Sequence, residues 1–82
     1  MSDEGRSARN AEIEGRYSNY FAVGHNAFEF LFDFGQFYKD DARPRLHTKI
    51  VTSPYYASVL SKTLAEAIRQ YERTHGKIAK PE

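Results

Sequence analysis

The sequence predicts an α+β fold in which a three-stranded antiparallel sheet is followed by one C-terminal helix (β-β-β-α) that packs on one face of the sheet. Three features of the chain predict this fold. Two segments carry aromatic residues at every second position around a Gly-His-Asn turn, a third alternating segment follows a proline, and a long segment of helical periodicity comes last. Period-two alternation is typical of half-buried strands, and recurrence at three- and four-residue spacing is typical of an amphipathic helix.

Size and composition favour a protein that needs a partner. The chain has 82 residues and no cysteine, so it forms at most one small domain and no disulfide. A domain of this size buries a modest share of its surface and commonly depends on a metal or a second subunit for stability. We therefore expect a homodimer or a subunit of a larger protein complex.

The chain divides into an arm, a domain and a tail. Residues 1–16 are polar and lack an apolar period, which predicts a flexible arm; a short helix over Ala8–Ile13 that docks on a partner is the alternative. Residues 17–78 form the domain, and residues 79–82 form the tail. No apolar run approaches the roughly 20 residues of a membrane span, and the N-terminus lacks a secretory signal, so we expect a cytoplasmic protein without membrane contacts.

The first two strands are expected to form a hairpin. The segments YSNYFAVG and AFEFLFDF both alternate, and the residues between them suit a tight turn. With His25 and Asn26 as the loop, Val23 lies opposite Phe28 and the aromatic side chains gather on one side. This side, here called the phenylalanine face, is expected to carry Phe21, Val23, Phe28, Phe30, Phe32 and Phe34.

The third strand is expected over RLHTKIVT, residues 45–52. Its residues on the phenylalanine face are expected to be Leu46, Thr48 and Ile50. Phe37 falls out of phase with the phenylalanine row, and Gly35 is therefore the expected position of a β-bulge that corrects the phase.

The helix is expected to run from Pro54 to His75. Ser53 is a favourable N-cap, Pro54 suits the first helical position, and Gly76 suits the position after the end. One apolar stripe, here called the helix stripe, consists of Ala57, Leu60, Leu64, Ala67, Ile68 and Tyr71. We expect the helix stripe to pack on the phenylalanine face and form the core.

The opposite side of the sheet, here called the second face, predicts a subunit interface. Its apolar centre is expected to consist of Tyr20, Ala22, Leu31 and Val51. Its charged rim is expected to consist of Glu29, Asp33, Arg45, His47 and Lys49. An apolar centre within a charged rim is typical of interfaces, and Glu29, Asp33 and Lys49 would fix its register. The alternatives are a solvated face with cross-strand ion pairs, or edge strands that pair between chains.

No pattern of residues indicates an enzyme. The three histidines, His25, His47 and His75, lack the close spacing of metal ligands, and the glycines do not form a phosphate-binding loop. We therefore predict no catalytic residue, no metal ligand and no cofactor. The alternative is a metal or acid–base site at His47 beside the carboxylates of the second face.

The charge balance argues against a dedicated nucleic-acid-binding protein. Lys and Arg together number 12 and Asp and Glu number 11, whereas nucleic-acid-binding domains usually carry a basic excess. A nucleic-acid-binding regulator is kept as the alternative function. Its contact residues would be Arg43, Arg45, Lys49, Arg69 and Arg73.

Three motifs carry a resemblance to a known family. The segment SNYFAVGHNAFEFLFDFG, the strand-to-helix junction IVTSPYYA and the helix end YERTHGKI resemble domain-of-unknown-function family 3467, a group of small bacterial and archaeal proteins. The resemblance covers nearly all of the chain from Tyr17 to Ile78. It implies an interaction or helper protein rather than an enzyme, and it supplies no catalytic residue.

Overall fold

The fold is a three-stranded antiparallel sheet followed by one helix, as the sequence predicts. A computed structural model describes residues 13–81. Strands β1 (Tyr20–His25), β2 (Phe30–Gln36) and β3 (Arg45–Thr52) lie in the order β1-β2-β3, and helix α1 spans Pro54–His75. The predicted arm lies mostly outside the described residues, as does nearly all of the alternative helix over Ala8–Ile13.

The β1–β2 hairpin has a longer loop than the sequence predicts. Val23 pairs with Phe32 rather than with Phe28, because the loop comprises residues 26–29 instead of His25 and Asn26 alone. The Asn26 side chain stabilises the longer loop, since its Oδ1 accepts the backbone N–H groups of Phe28 at 2.8 Å and of Glu29 at 3.0 Å.

The predicted hairpin register is therefore wrong, but the predicted faces survive. The partner of Val23 moves by four positions along β2, and an even shift leaves every side chain on its original side of the sheet. Phe28 is the exception on the phenylalanine face, because it now lies in the loop with 84% of its surface exposed.

A β-bulge interrupts the β2–β3 ladder at the predicted position. Thr48 pairs with Phe34 and Leu46 pairs with Gly35, which leaves His47 as an extra residue in β3. The extra residue reverses the alternation of β3. Leu46 therefore lies on the second face, where its Cδ2 atom is 2.9 Å from the position that a Cβ on Gly35 would occupy. The prediction that Leu46 lies on the phenylalanine face is wrong, whereas Thr48 and Ile50 lie there as predicted.

Helix α1 begins and ends at the predicted residues. Ser53 caps it, because its hydroxyl accepts the N–H of Tyr56 at 3.2 Å. At the other end, Gly76 has φ of 88°, a conformation that favours glycine, and its N–H donates to the Glu72 carbonyl at 2.9 Å. A single residue separates β3 from α1, so this junction fixes where the helix starts above the sheet.

The expected core is not closed within one chain. The helix stripe faces the phenylalanine face, but Ala57, at 9% exposure, is the only buried apolar residue among residues 13–81. Ala57 lies in the first turn of α1, next to the junction with β3. Beyond this first turn, Leu60 and Leu64 stay exposed and a gap separates them from the sheet.

Candidate functional site

An apolar groove separates the phenylalanine face from α1. It encloses about 340 Å³ and is lined on the helix side by Leu60 and Leu64. The sheet side of the groove is lined by Phe21, Ala22, Val23, Phe32, Asp33 and Phe34. The groove therefore lies where the sequence predicts a packed core.

The side chains around the groove are far more exposed than core residues. Phe21 is 62% exposed and Val23 is 59% exposed on β1, and Leu60 and Leu64 are 46% and 56% exposed on α1. Ile50, Ile68 and Tyr71, from the same two surfaces, are also exposed. At about 200 Å² for each fully exposed large apolar residue, these seven half-exposed side chains leave roughly 700 Å² uncovered. This much exposed apolar surface on the two facing surfaces of a small domain is typical of a binding surface.

The sheet wall of the groove is held in place by aromatic contacts. Phe21 and Phe34 pair across β1 and β2, and their rings meet edge to face with centroids 5.8 Å apart. Phe30 and Phe32 follow each other along β2 with ring centroids 6.5 Å apart. Such pairs contribute about 0.5–1.5 kcal/mol beyond their buried area, so the wall is ordered before anything covers it.

The second face holds the four apolar residues predicted for an interface. Pairing of Ala22 with Asp33 and of Leu31 with Val51 places them on one side of the sheet. Most of this apolar surface is partly covered within the chain, since Tyr20 packs edge to face on Phe37 with ring centroids 5.6 Å apart. Among the large apolar residues that the structure describes on this face, only Leu46 and Val51 are more than half exposed. The second face thus offers less open apolar surface than the groove, and its role as an interface stays a prediction.

The charged rim of the second face is only partly assembled, and the prediction that Arg45 belongs to it is wrong, because the bulge places Arg45, opposite Gln36, on the side of the phenylalanine face. Lys49 forms an ion pair with Asp33 at 2.5 Å across β2 and β3. Glu29 precedes β2 and belongs to the loop rather than to the strand ladder. A solvent-exposed pair of this kind contributes at most about 1 kcal/mol.

His47 is occupied by hydrogen bonds within the chain. Its Nε2 lies 3.0 Å from the Tyr17 carbonyl oxygen, and its Nδ1 lies 2.7 Å from the Thr48 hydroxyl. A carbonyl can only accept, so Nε2 carries the proton and Nδ1 accepts from Thr48 in the neutral ring. Nε2 thereby holds Tyr17 against the bulge, and Nδ1 is occupied by the adjacent Thr48. Within residues 13–81 no group of three His, Asp or Glu side chains is arranged to hold a metal ion.

The five cations of the nucleic-acid hypothesis lie on three parts of the chain, which are β3, α1 and the connection before β3, and four of them pair with carboxylates. Arg45 contacts Asp41 at 2.8 Å, and Lys49 contacts Asp33 as described. Arg43 lies in the connection before β3.

The helix cations Arg69 and Arg73 share one carboxylate. They approach Glu66 at 2.6 and 4.0 Å, respectively. The hydrogen bond from Arg69, together with its charge, lowers the pKa of Glu66. Arg69 and Arg73 also line a shallow depression with Lys77 and Glu72. Most of this positive charge is balanced locally, and the nucleic-acid hypothesis stays a prediction.

The sequence does not predict the side-chain hydrogen bonds of two asparagines, Asn19 and Asn26. Asn26 sets the hairpin loop, and Asn19 accepts the N–H of Phe37 at 2.7 Å through its Oδ1 and so holds the chain that leaves β2. Asparagine is common in turns because its side chain bonds to nearby backbone groups. This preference is the sequence feature from which the two roles could have been predicted. The groove itself has a weaker signal, which is a long phenylalanine row matched by only one helix.

Comparisons with known proteins identify the family. The helix among the described residues is not long and apolar enough to cross a membrane. No curated protein and no solved structure matches the chain. The family described as "Protein of unknown function (DUF3467)" matches residues 5–80, which confirms the resemblance carried by the three motifs. The chain therefore belongs to this family.

Proposed function

We propose that this protein is a small, non-enzymatic protein–protein interaction module of the cytoplasm that self-associates through the groove. The observation that carries the proposal is the open core, in which an aromatic sheet face and an apolar helix stripe face each other without closing. Permanent subunit interfaces resemble a domain core cut in half, and the groove has this character.

The size of the exposed surface suits a stable interface. Stable complexes of ordinary size bury about 800 Å² on each partner, and the seven exposed side chains of the phenylalanine face and the helix stripe expose roughly 700 Å² together. The formal net charge of +1 at pH 7 opposes the approach of two copies only weakly.

The chemistry of the groove favours a protein over a small-molecule ligand. Small-molecule pockets combine apolar walls with a few converging polar groups that orient the ligand. Asp33 is the only ionisable residue that lines the groove, and it does so through its backbone, because its side chain lies on the second face and is paired with Lys49. The lining therefore offers shape and apolar area but little to orient a ligand.

The proposal is tested by comparing the particle mass in solution of two matched variants. Leu64→Glu places a charge in the groove, and Ser58→Glu makes the same charge change on an exposed part of α1 away from the helix stripe. Losing the burial of Leu64 costs about 1.5–3 kcal/mol per copy, and a two-fold dimer loses it twice. The association constant should therefore fall at least about 100-fold for Leu64→Glu and change little for Ser58→Glu.

Sedimentation velocity or light scattering over a range of protein concentrations measures this difference. We expect the wild type and Ser58→Glu to form dimers and Leu64→Glu to stay monomeric. A wild-type protein that is monomeric at every concentration, or a dimer that is insensitive to Leu64→Glu, contradicts the proposal.

A further inference from the structure

The outer edge of β1 differs from the outer edge of β3. Proteins commonly protect exposed edge strands with charged residues, proline or a bulge, because an unprotected edge pairs with other chains. Strand β3 carries Arg45, Lys49 and the bulge at His47. Strand β1, with the sequence YFAVGH, contains no Lys, Arg, Asp, Glu or Pro. No strand within residues 13–81 pairs with its outer edge.

The pairing pattern shows which backbone groups β1 presents at this edge. The Asn26 N–H donates to the Glu29 carbonyl at 3.0 Å, which fixes the alternation of hydrogen-bonded pairs along the hairpin. Even-numbered residues of β1 therefore bond to β2. The N–H and C=O groups of Phe21, Val23 and His25 point away from β2 and are available to another strand.

The same residues carry the exposed part of the sheet wall. Phe21 and Val23 place their side chains on the phenylalanine face and line the groove beside Leu60 and Leu64. Strand β1 therefore combines an unpaired backbone edge with the most exposed strand side chains of this face. A partner that pairs with the edge also extends the wall of the groove.

We infer that the partner in the groove is a second copy of this chain, joined through antiparallel pairing of the two β1 strands into a continuous six-stranded sheet. This inference rests on the proposed self-association and specifies its geometry. A two-fold axis perpendicular to the sheet runs the two β1 strands antiparallel and keeps both phenylalanine faces on the same side. The two grooves then adjoin, and both α1 helices lie over one shared aromatic surface.

A two-fold β1 pair supplies hydrogen-bond partners for the outer backbone edge of β1 and covers its exposed side chains at the same time. Outward-pointing residues lie opposite outward-pointing residues, so Phe21 of one copy can face Val23 of the other in a register centred on Ala22. The exposed backbone groups gain partners, and these two side chains lose contact with water. An unrelated protein could fill the groove without pairing with the edge of β1. Protection of this edge therefore distinguishes a second copy of the chain from an unrelated partner.

Amide hydrogen exchange on the wild-type dimer tests the geometry without mutation. The amides of Phe21, Val23 and His25 should exchange at least about tenfold more slowly in the dimer than in the Leu64→Glu monomer. The same amides exchanging at the unprotected rate in a confirmed dimer would overturn the edge pairing but leave self-association standing. A wild-type monomer would overturn both.

A pair of variants at Val23 provides the second test. Val23→Pro removes an outward N–H that β2 does not use, whereas Val23→Thr keeps both the N–H and the β-branched shape. We expect a folded monomer for Val23→Pro, with circular dichroism of the β-β-β-α domain retained, and a dimer for Val23→Thr. A folded Val23→Pro variant that dimerises like Val23→Thr would refute the pairing; if Val23→Pro does not fold, the exchange experiment decides.

Discussion

Replacing Gly35 with alanine tests the close contact between β2 and β3 at the bulge. A Cβ at this position would lie 2.6 Å from the Arg45 carbonyl oxygen and 2.9 Å from Leu46 Cδ2. The leucine side chain can rotate away, but the carbonyl oxygen belongs to the backbone beside the bulge and cannot move alone. The strands must therefore separate locally, and the bulge at His47 is strained with them.

The expected change in the free energy of unfolding for Gly35→Ala follows from two opposing contributions. Forcing an extra carbon into a tightly packed site costs about 1–3 kcal/mol. Replacing glycine by alanine also restricts the unfolded chain, which returns about 0.4–1 kcal/mol. We expect Gly35→Ala to lower the free energy of unfolding by roughly 1–2 kcal/mol, the difference between these two contributions.

Gly24→Ala is the matched control. Gly24 lies in β1, and a Cβ there would meet nothing within 4 Å. Its backbone does not have positive φ, so alanine should be neutral or stabilising by up to about 1 kcal/mol. Urea denaturation at one fixed protein concentration measures both variants, since stability depends on concentration in an associating protein. Equal midpoints for Gly35→Ala and Gly24→Ala would refute the argument from close contact.

Three further predictions follow from the helix and the second face. Ser53→Ala removes the N-cap bond to Tyr56 and should cost about 1 kcal/mol in urea denaturation, whereas Ser53→Asp should retain most of the stability; equal losses would argue against capping. Leu31→Asp should leave the particle mass of a groove-mediated dimer unchanged in light scattering, whereas loss of the dimer would support the second face as the interface. Arg69→Gln should return the lowered pKa of Glu66 towards its ordinary value in an NMR titration. Because the lowered pKa favours the charged form in the folded chain, this ion pair contributes above the ordinary glutamate pKa, and its contribution disappears as pH falls through the lowered value. An unchanged titration would show that Arg69 is not the cause.

The order and type of the elements could be predicted because the local signals agree with one another. Ser53, Pro54 and Gly76 mark both ends of α1, and the alternation of RLHTKIVT gives β3 its observed bounds. Such signals act within a few residues and do not depend on the tertiary structure of the rest of the chain.

Hairpin register and the face of Leu46 could not be predicted from alternation alone. A phenylalanine at every second position fits equally well after a shift of two or four residues, so the row selects a face but not a partner. The hydrogen bonds of Asn26 select the strand partner of each β1 residue, because they are specific to the observed loop conformation. Leu46 changes sides because the bulge adds His47 on β3, and a bulge expected at Gly35 does not reveal which strand receives the extra residue.

The open groove between the sheet and α1 could not be predicted from the sequence for a different reason. The helix stripe and the phenylalanine row are complementary in pattern, and pattern matching treats complementary surfaces as packed. Whether they meet depends on the direction in which α1 leaves β3, a three-dimensional quantity set by Ser53 and its neighbours. The sequence predicts self-association from size alone, and it assigns the contact to the second face because the phenylalanine row is already assigned to the core.

If copies of this protein associate as proposed, the scarcity of buried side chains in one copy makes its cellular concentration a determinant of its stability. With Ala57 as the only buried apolar residue in the part of the chain that the structure describes, a solitary copy gains little protection from folding. When folding and dimerisation are coupled, each tenfold rise in chain concentration stabilises the dimer by about 1.4 kcal/mol relative to two unfolded chains. Sparse copies would be open to proteases, whereas abundant copies would shield one another. The amount synthesised would thus set a threshold below which the protein is cleared and above which it accumulates.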